Sequence, residues 1–176
     1  MACLSYATAG ILLMGLVACS STPKKPSPTA LTDFKPLMSI SKGWSVQLGP
    51  LDPNASALLS HNLTEGRLAL VSGSGLLMVL DAETGDESWR HALNTPIAAG
   101  VGGDGERFAV ITKANELIAI SNAKVIWRVK LPASSFTSPL VAGGRVFVLT
   151  ADRTVMAFDG ASGQRLWSQQ RSLTNV

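Results

Sequence analysis

From Arg67 onward the chain alternates short apolar runs with glycine-rich or polar punctuation. Residues 145–150 (RVFVLT) and 154–158 (TVMAF) are rich in β-branched and aromatic side chains, as strands of a half-buried sheet require. Gly143-Gly144 before the first run and Ala151-Asp152-Arg153 between the two read as hairpin turns. With residues 137–142 ahead and 165–170 behind, this stretch predicts four successive strands. Two earlier stretches echo it, with strands at 67–72, 76–80 and 88–93, then at 107–112, 117–120 and 125–131. No segment after the N-terminal region carries the 3.6-residue apolar spacing of an amphipathic helix.

The four tryptophans put these stretches in phase. Trp44, Trp89, Trp127 and Trp167 are separated by 45, 38 and 40 residues. A repeat of about 40–45 residues built from short strands is the signature of a β-propeller with one blade per repeat. The predicted fold class is all-β: a partial β-propeller of about three four-stranded antiparallel blades plus one N-terminal orphan strand. The orphan strand spans residues 44–48, and the blades span about 55–93, 95–131 and 136–171.

A finer pattern joins the third and fourth strands. It reads VLDAETGDESW in the first repeat, with Asp81, Gly85 and Trp89, and AFDGASGQRLW in the third, with Asp159, Gly163 and Trp167. The aspartate can accept hydrogen bonds from the turn amides, and the glycine takes positive φ without a Cβ penalty. The tryptophan is bulky enough to fill the wedge between neighbouring blades. In the second repeat Ser121 replaces the aspartate, the glycine is missing, and Trp127 comes two residues sooner, so a tighter hairpin is expected there.

The N-terminal region differs in character. Residues 11–18 are apolar or glycine, too short a run to span a bilayer comfortably, and read as the core of a secretory signal. The run ends in Leu16-Val17-Ala18-Cys19, which resembles the bacterial lipobox. The resemblance implies a signal peptide over 1–18 and acylation of Cys19. Residues 1–10 depart from a usual signal in having no Lys or Arg. Ser20 rather than Asp after the cysteine implies sorting to the outer membrane. Residues 19–41 hold Pro23, Pro26, Pro28 and Pro36 among Ser, Thr and Lys, the composition of an extended linker with a reach of roughly 70 Å.

Composition narrows the function. The chain is 46% hydrophobic and 15% charged, as a globular protein is, and its net charge of +3 is spread without a basic cluster beyond Lys24-Lys25. Nucleic-acid binding gains no support. His61 and His91 lie far apart in sequence without metal-type spacing. Asp81, Glu83, Asp86, Glu87 and Asp159 fall in or beside hairpin turns, where capping is the simpler role. Gly73, Gly75, Gly102, Gly103 and Gly105 are not followed by the Lys-Ser/Thr of a P-loop. These features point to no catalytic residue, no metal site and no cofactor.

The tryptophan-phased repeats resemble those of pyrroloquinoline-quinone-type propellers. Together with the lipobox, the Pro-rich linker and the lone segment at Trp44, they resemble the BamB family, propeller lipoproteins of the outer-membrane β-barrel assembly machine. That resemblance implies a non-catalytic periplasmic scaffold. It would be anchored in the outer membrane through Cys19, dock on the barrel-inserting subunit and aid folding of barrel proteins. Two other readings stay open. A quinoprotein dehydrogenase shares the repeat but uses an adjacent cysteine pair, a metal with carboxylate and Asn ligands, and an Asp. A generic lipoprotein propeller would bind a small ligand or a cell-wall component.

Three blades cannot close a ring. The sequence is therefore expected to be the N-terminal fragment of a longer propeller. Residues 44–48 are expected to lack their sheet, and a sheet face at each end of the arc is expected to stand uncovered.

Overall fold

Alternation of side chains across each run dictates strands, and the computed structural model has twelve of them among the residues it describes, 28–29, 38–48 and 59–171. They form three antiparallel four-stranded meanders. The first sheet holds β1 (Leu59–Thr64), β2 (Arg67–Ser72), β3 (Leu76–Asp81) and β4 (Glu87–Ala92). The second holds β5 (Ile97–Gly103), β6 (Arg107–Thr112), β7 (Glu116–Ser121) and β8 (Lys124–Lys130). The third holds β9 (Leu140–Ala142), β10 (Arg145–Leu149), β11 (Thr154–Asp159) and β12 (Arg165–Gln170). The arrangement is a partial β-propeller, with each sheet one blade. Residues 1–27, 30–37, 49–58 and 172–176, and with them Cys19, the signal and most of the linker, lie outside the described residues.

The two faces of each sheet pack into different seams, because neighbouring residues on a strand point to opposite sides. Val71, Leu77 and Val79 of the first sheet meet Phe108, Val110, Ile118 and Ile120 of the second. The other face of the second sheet, with Ala109, Ile111, Leu117 and Ala119, meets Val146, Val148, Met156 and Phe158 of the third. The second sheet is thus buried on both faces, which explains the unbroken apolar runs of β6 and β7.

The first strands of the sheets crowd together, and their sequences answer to it. A Cβ on Gly100 would lie 1.7 Å from Ser60 Oγ, and one on Gly102 would lie 1.8 Å from the Pro139 carbonyl oxygen. Glycine is what lets β5 sit between β1 and β9.

Three expectations need correction. Residues 44–48 form no strand: no β-ladder reaches them among the described residues. They nonetheless cover the first sheet, for Trp44 and Leu48 pack on Leu70, Met78 and Leu80. That face is therefore not left open, since an indole and a leucine can shield it without pairing to its edge. The first strand of the third sheet is also shorter than residues 137–142. It starts at Leu140, because Pro139 has no N–H to give to a ladder.

Candidate functional site: the tryptophan–turn seams

The third-to-fourth-strand turns of the first and third sheets have the same internal wiring. In the first, the Asp81 carboxylate accepts from the amides of Glu83 and Thr84, both at 2.9 Å, and from the Thr84 hydroxyl at 3.2 Å. In the third, Asp159 accepts from the amides of Ala161 at 3.1 Å and Ser162 at 2.8 Å, and from the Ser162 hydroxyl at 2.8 Å. Each turn closes with the glycine amide donating to the aspartate carbonyl, Gly85 to Asp81 and Gly163 to Asp159, both at 2.9 Å. Each is tied to the neighbouring hairpin by an amide bond of 2.8 Å, from Ala82 to Gly66 and from Gly160 to Gly144.

These bonds hold the carboxylates in their charged form. The Thr84 and Glu83 amides lower the Asp81 pKa from the ordinary aspartate value. The Ser162 hydroxyl and then its amide do the same for Asp159, with a smaller contribution from Arg107 of the second sheet. A carboxylate engaged in this way organises a turn and holds no proton to donate.

A tryptophan from the preceding element caps each turn. The Trp127 indole N–H donates to the Gly160 carbonyl at 2.9 Å, and the Trp44 indole N–H donates to the Ala82 carbonyl at 3.2 Å. Gly160 and Ala82 occupy equivalent places, one residue after the aspartate. The ring of Trp127 lies over Gly163, where a Cβ would come within 2.7 Å of it; the ring of Trp44 lies over Gly85, where the distance would be 2.5 Å. Both glycines have positive φ, +73° and +81°. The glycine therefore answers two demands at once, the turn and the indole.

The second sheet lacks this receptor. Asn122 and Ala123 form a two-residue hairpin turn with φ of 48° and 59°, the left-handed pair that suits twisted strands. The Trp89 indole N–H makes no hydrogen bond among the described residues, and the ring meets Phe108 edge-on instead, with centroids 5.6 Å apart. The same seam is bridged by Arg67, which donates to the Gly105 carbonyl at 2.8 Å. Sequence reasoning passes over Arg67, yet arginine opens the second strand of every sheet, at Arg67, Arg107 and Arg145. Trp167 is 44% exposed and tilts against Phe147 of its own sheet, 6.1 Å between centroids.

The sequence-selected chemical groups do not converge. His61 is exposed on β1 and His91 half-buried on β4. Glu87 is paired with Arg90 on the strand edge. Among the described residues no group of three or more His, Cys, Asp or Glu could hold a metal ion. Gly102 and Gly103 lie within β5, and Gly75 and Gly105 serve hairpin turns.

Comparison with known proteins shows one family by sequence and a wider set of propellers by structure. The family model described as outer membrane protein assembly factor BamB matches residues 41–99 and 73–176. The chain is 32% identical to the outer membrane protein assembly factor BamB of Burkholderia pseudomallei over 86% of this chain and 39% of that protein. It is 28% identical to the BamB of Bordetella pertussis over 92% of this chain and 43% of that protein. The chain thus spans less than half the length of these relatives. Among solved structures it is similar to BamB from Moraxella catarrhalis, with a TM-score of 0.56 and 25% identity, covering 66% of this chain and 36% of that one. A quinohemoprotein alcohol dehydrogenase from Pseudomonas putida HK5 has a TM-score of 0.50 at 19% identity, over 61% of this chain and 19% of that one. That likeness is one of fold alone.

Proposed function

The chain belongs to the BamB family of outer membrane protein assembly factors, and on that premise we propose that it is the propeller portion of a non-catalytic scaffold subunit of the machine that folds and inserts β-barrel proteins. The observation that carries this reading is the family match over residues 41–176, the span that holds all four tryptophans and both aspartate–glycine turns. What the geometry contributes is rigidity. Buried seams on both faces of the second sheet, one of them tied by the Trp127 indole-to-turn hydrogen bond and the other by Arg67, hold three sheets and their rim loops against one another. A scaffold needs that property, because ordering loops only on binding would weaken every contact they make.

The subunit would sit on the periplasmic face of the outer membrane, anchored through acylated Cys19, with residues 20–41 as tether. Several acyl chains hold a protein firmly, since each buried CH₂ contributes about 0.8 kcal/mol. Rim loops would meet a periplasmic domain of the barrel-inserting subunit, and exposed edge strands could add to a partner sheet.

The test is photo-crosslinking in cells. A photoreactive residue is placed in turn at exposed rim positions of the full chain, at Glu65, Glu83, Glu106 and Arg153. Capture of the barrel-inserting subunit from at least one position is expected. A chain that reaches the outer membrane and captures no assembly subunit from any position contradicts the reading. Radiolabelled palmitate incorporated by the chain, and lost in Cys19→Ser, checks the anchor separately.

A further inference from the structure

The two rims of the sheet stack differ in charge. The rim with the first-to-second and third-to-fourth turns carries the acids Glu65, Asp81, Glu83, Asp86, Asp104, Glu106 and Asp159, which outnumber its cations Arg67, Arg107, Lys124, Arg145 and Arg165. The opposite rim holds the second-to-third turns and the connections between sheets. Its acids are engaged: Glu116 faces Arg128 at 3.9 Å, and Asp152 accepts from the Thr150 hydroxyl at 2.6 Å and the Thr154 amide at 3.2 Å. Its cations include Lys130 and Arg153 as well as Lys113, and Lys113 is exposed and makes no ion pair or side-chain hydrogen bond among the described residues.

Beside Lys113 a groove of about 470 Å³ opens between the second sheet and the connection that leads to the third, lined by Ile97, Lys113, Asn115, Ser135 and Phe136 among others. Phe136 is 74% exposed, the most exposed aromatic side chain among the described residues. Its exposure does not come from a slack backbone. On one side Ser134 accepts an amide bond from Ala151 at 2.7 Å. The Ser135 side chain, almost fully buried, donates to the Leu149 carbonyl at 2.7 Å. The connection is pinned next to the phenylalanine and holds its ring in water, where apolar area is costly. The amides of Ser134 and Phe136 make no hydrogen bond among the described residues.

We propose that this groove is a docking site for an extended peptide segment of a partner protein that carries a carboxylate next to an apolar side chain. The apolar side chain covers Phe136 and Ile97, the carboxylate faces Lys113, and peptide carbonyls accept from the free amides of the 134–136 stretch. Charge chooses the partner: an acidic segment meets an unneutralised cation here, whereas acids outnumber cations at the opposite rim. The proposal goes beyond the scaffold reading and fails independently of it, because it is tested with purified chain and peptides alone.

The test is fluorescence anisotropy of the full chain with three labelled peptides of identical alternating apolar pattern, carrying two aspartates, two asparagines or two lysines. The aspartate peptide is expected to bind about two- to fivefold more tightly than the other two, the scale of one exposed charge pair. Lys113→Glu should reverse that order, and Phe136→Ser should weaken all three. Both side chains are exposed, so unchanged thermal unfolding of the variants is expected and checks that the fold is intact. Equal binding of the three peptides, no binding of any, indifference to Lys113→Glu, or binding to phosphatidylglycerol vesicles in place of peptide would each overturn the proposal.

Discussion

The indole N–H of Trp127 reaches across a seam to the carbonyl of Gly160, at 2.9 Å, and so joins the last strand of one sheet to a turn of the next. Trp44 repeats the contact on Ala82 from a segment that belongs to no sheet. The device therefore does not depend on the tryptophan's own strand pairing. It depends on the receptor, a turn in which an aspartate fixes the amides and a glycine leaves room for the ring.

Truncating the ring should cost more than removing its hydrogen bond. Trp127 is 9% exposed and packs tilted against Phe158 at 6.4 Å. Trp127→Ala should destabilise the chain by about 3–5 kcal/mol, as deletion of a buried aromatic does. Trp127→Phe should cost less, chiefly a hydrogen bond of about 1 kcal/mol and the smaller ring. Urea unfolding followed by circular dichroism gives both values.

Filling the receptor should be harmful in proportion to what sits above it. Gly163→Ala forces a positive φ on alanine and drives its Cβ into the indole, at 2.7 Å. Gly143→Ala meets the same φ problem, at +58°, with nothing within 4 Å. The second change should cost about 1–2 kcal/mol from backbone conformation alone, and the first should cost more. Equal midpoint shifts in urea would show that the ring does not press on the turn.

Acid should loosen the turns in a defined direction. Asp81 and Asp159 have folded-state pKa values below the unfolded ones, because turn amides and hydroxyls bind the carboxylate. Their contribution is complete above the unfolded aspartate value and is lost as pH falls through the folded one. Asp81→Asn with Asp159→Asn should lower stability at neutral pH and flatten its decline in acid. Denaturant midpoints across that pH range check both effects.

Removing Trp44 should uncover only the first sheet. Trp44→Ala should raise amide hydrogen exchange in β2 and β3, where Leu70, Met78 and Leu80 lose their cover, and leave β10 and β11 unchanged. Uniform change across the three sheets would contradict the local role given to residues 44–48.

The strands at Arg145–Leu149 and Thr154–Asp159 are legible because β-branched and aromatic side chains fill both, and one face of each is buried in the seam with the second sheet. The turns are legible because Asp and Gly have few other uses at that spacing. β1 (LSHNLT) and β5 (IAAGVGG) are not delimited by pattern, since polar and glycine residues carry little strand signal. Their composition answers to crowding by other sheets, which only the tertiary arrangement creates. The role of residues 44–48 is obscured for a related reason. Periodicity there suggests a strand, but pairing needs a neighbouring edge, whereas covering a face needs only Trp44 and Leu48. The groove at Phe136 has no sequence signature, because it is made by the start of β5, a hairpin turn and a connection that the fold brings side by side.

The most direct measurement is a double-mutant cycle on Trp127→Phe and Gly163→Ala, read by urea unfolding of the full chain. If the indole rests on the glycine, the smaller ring makes room for the new methyl group, and Gly163→Ala should cost at least about 1 kcal/mol less in the Trp127→Phe background. Additive costs, within about 0.5 kcal/mol, would mean that tryptophan and turn act separately and that the sheets are not joined in this way.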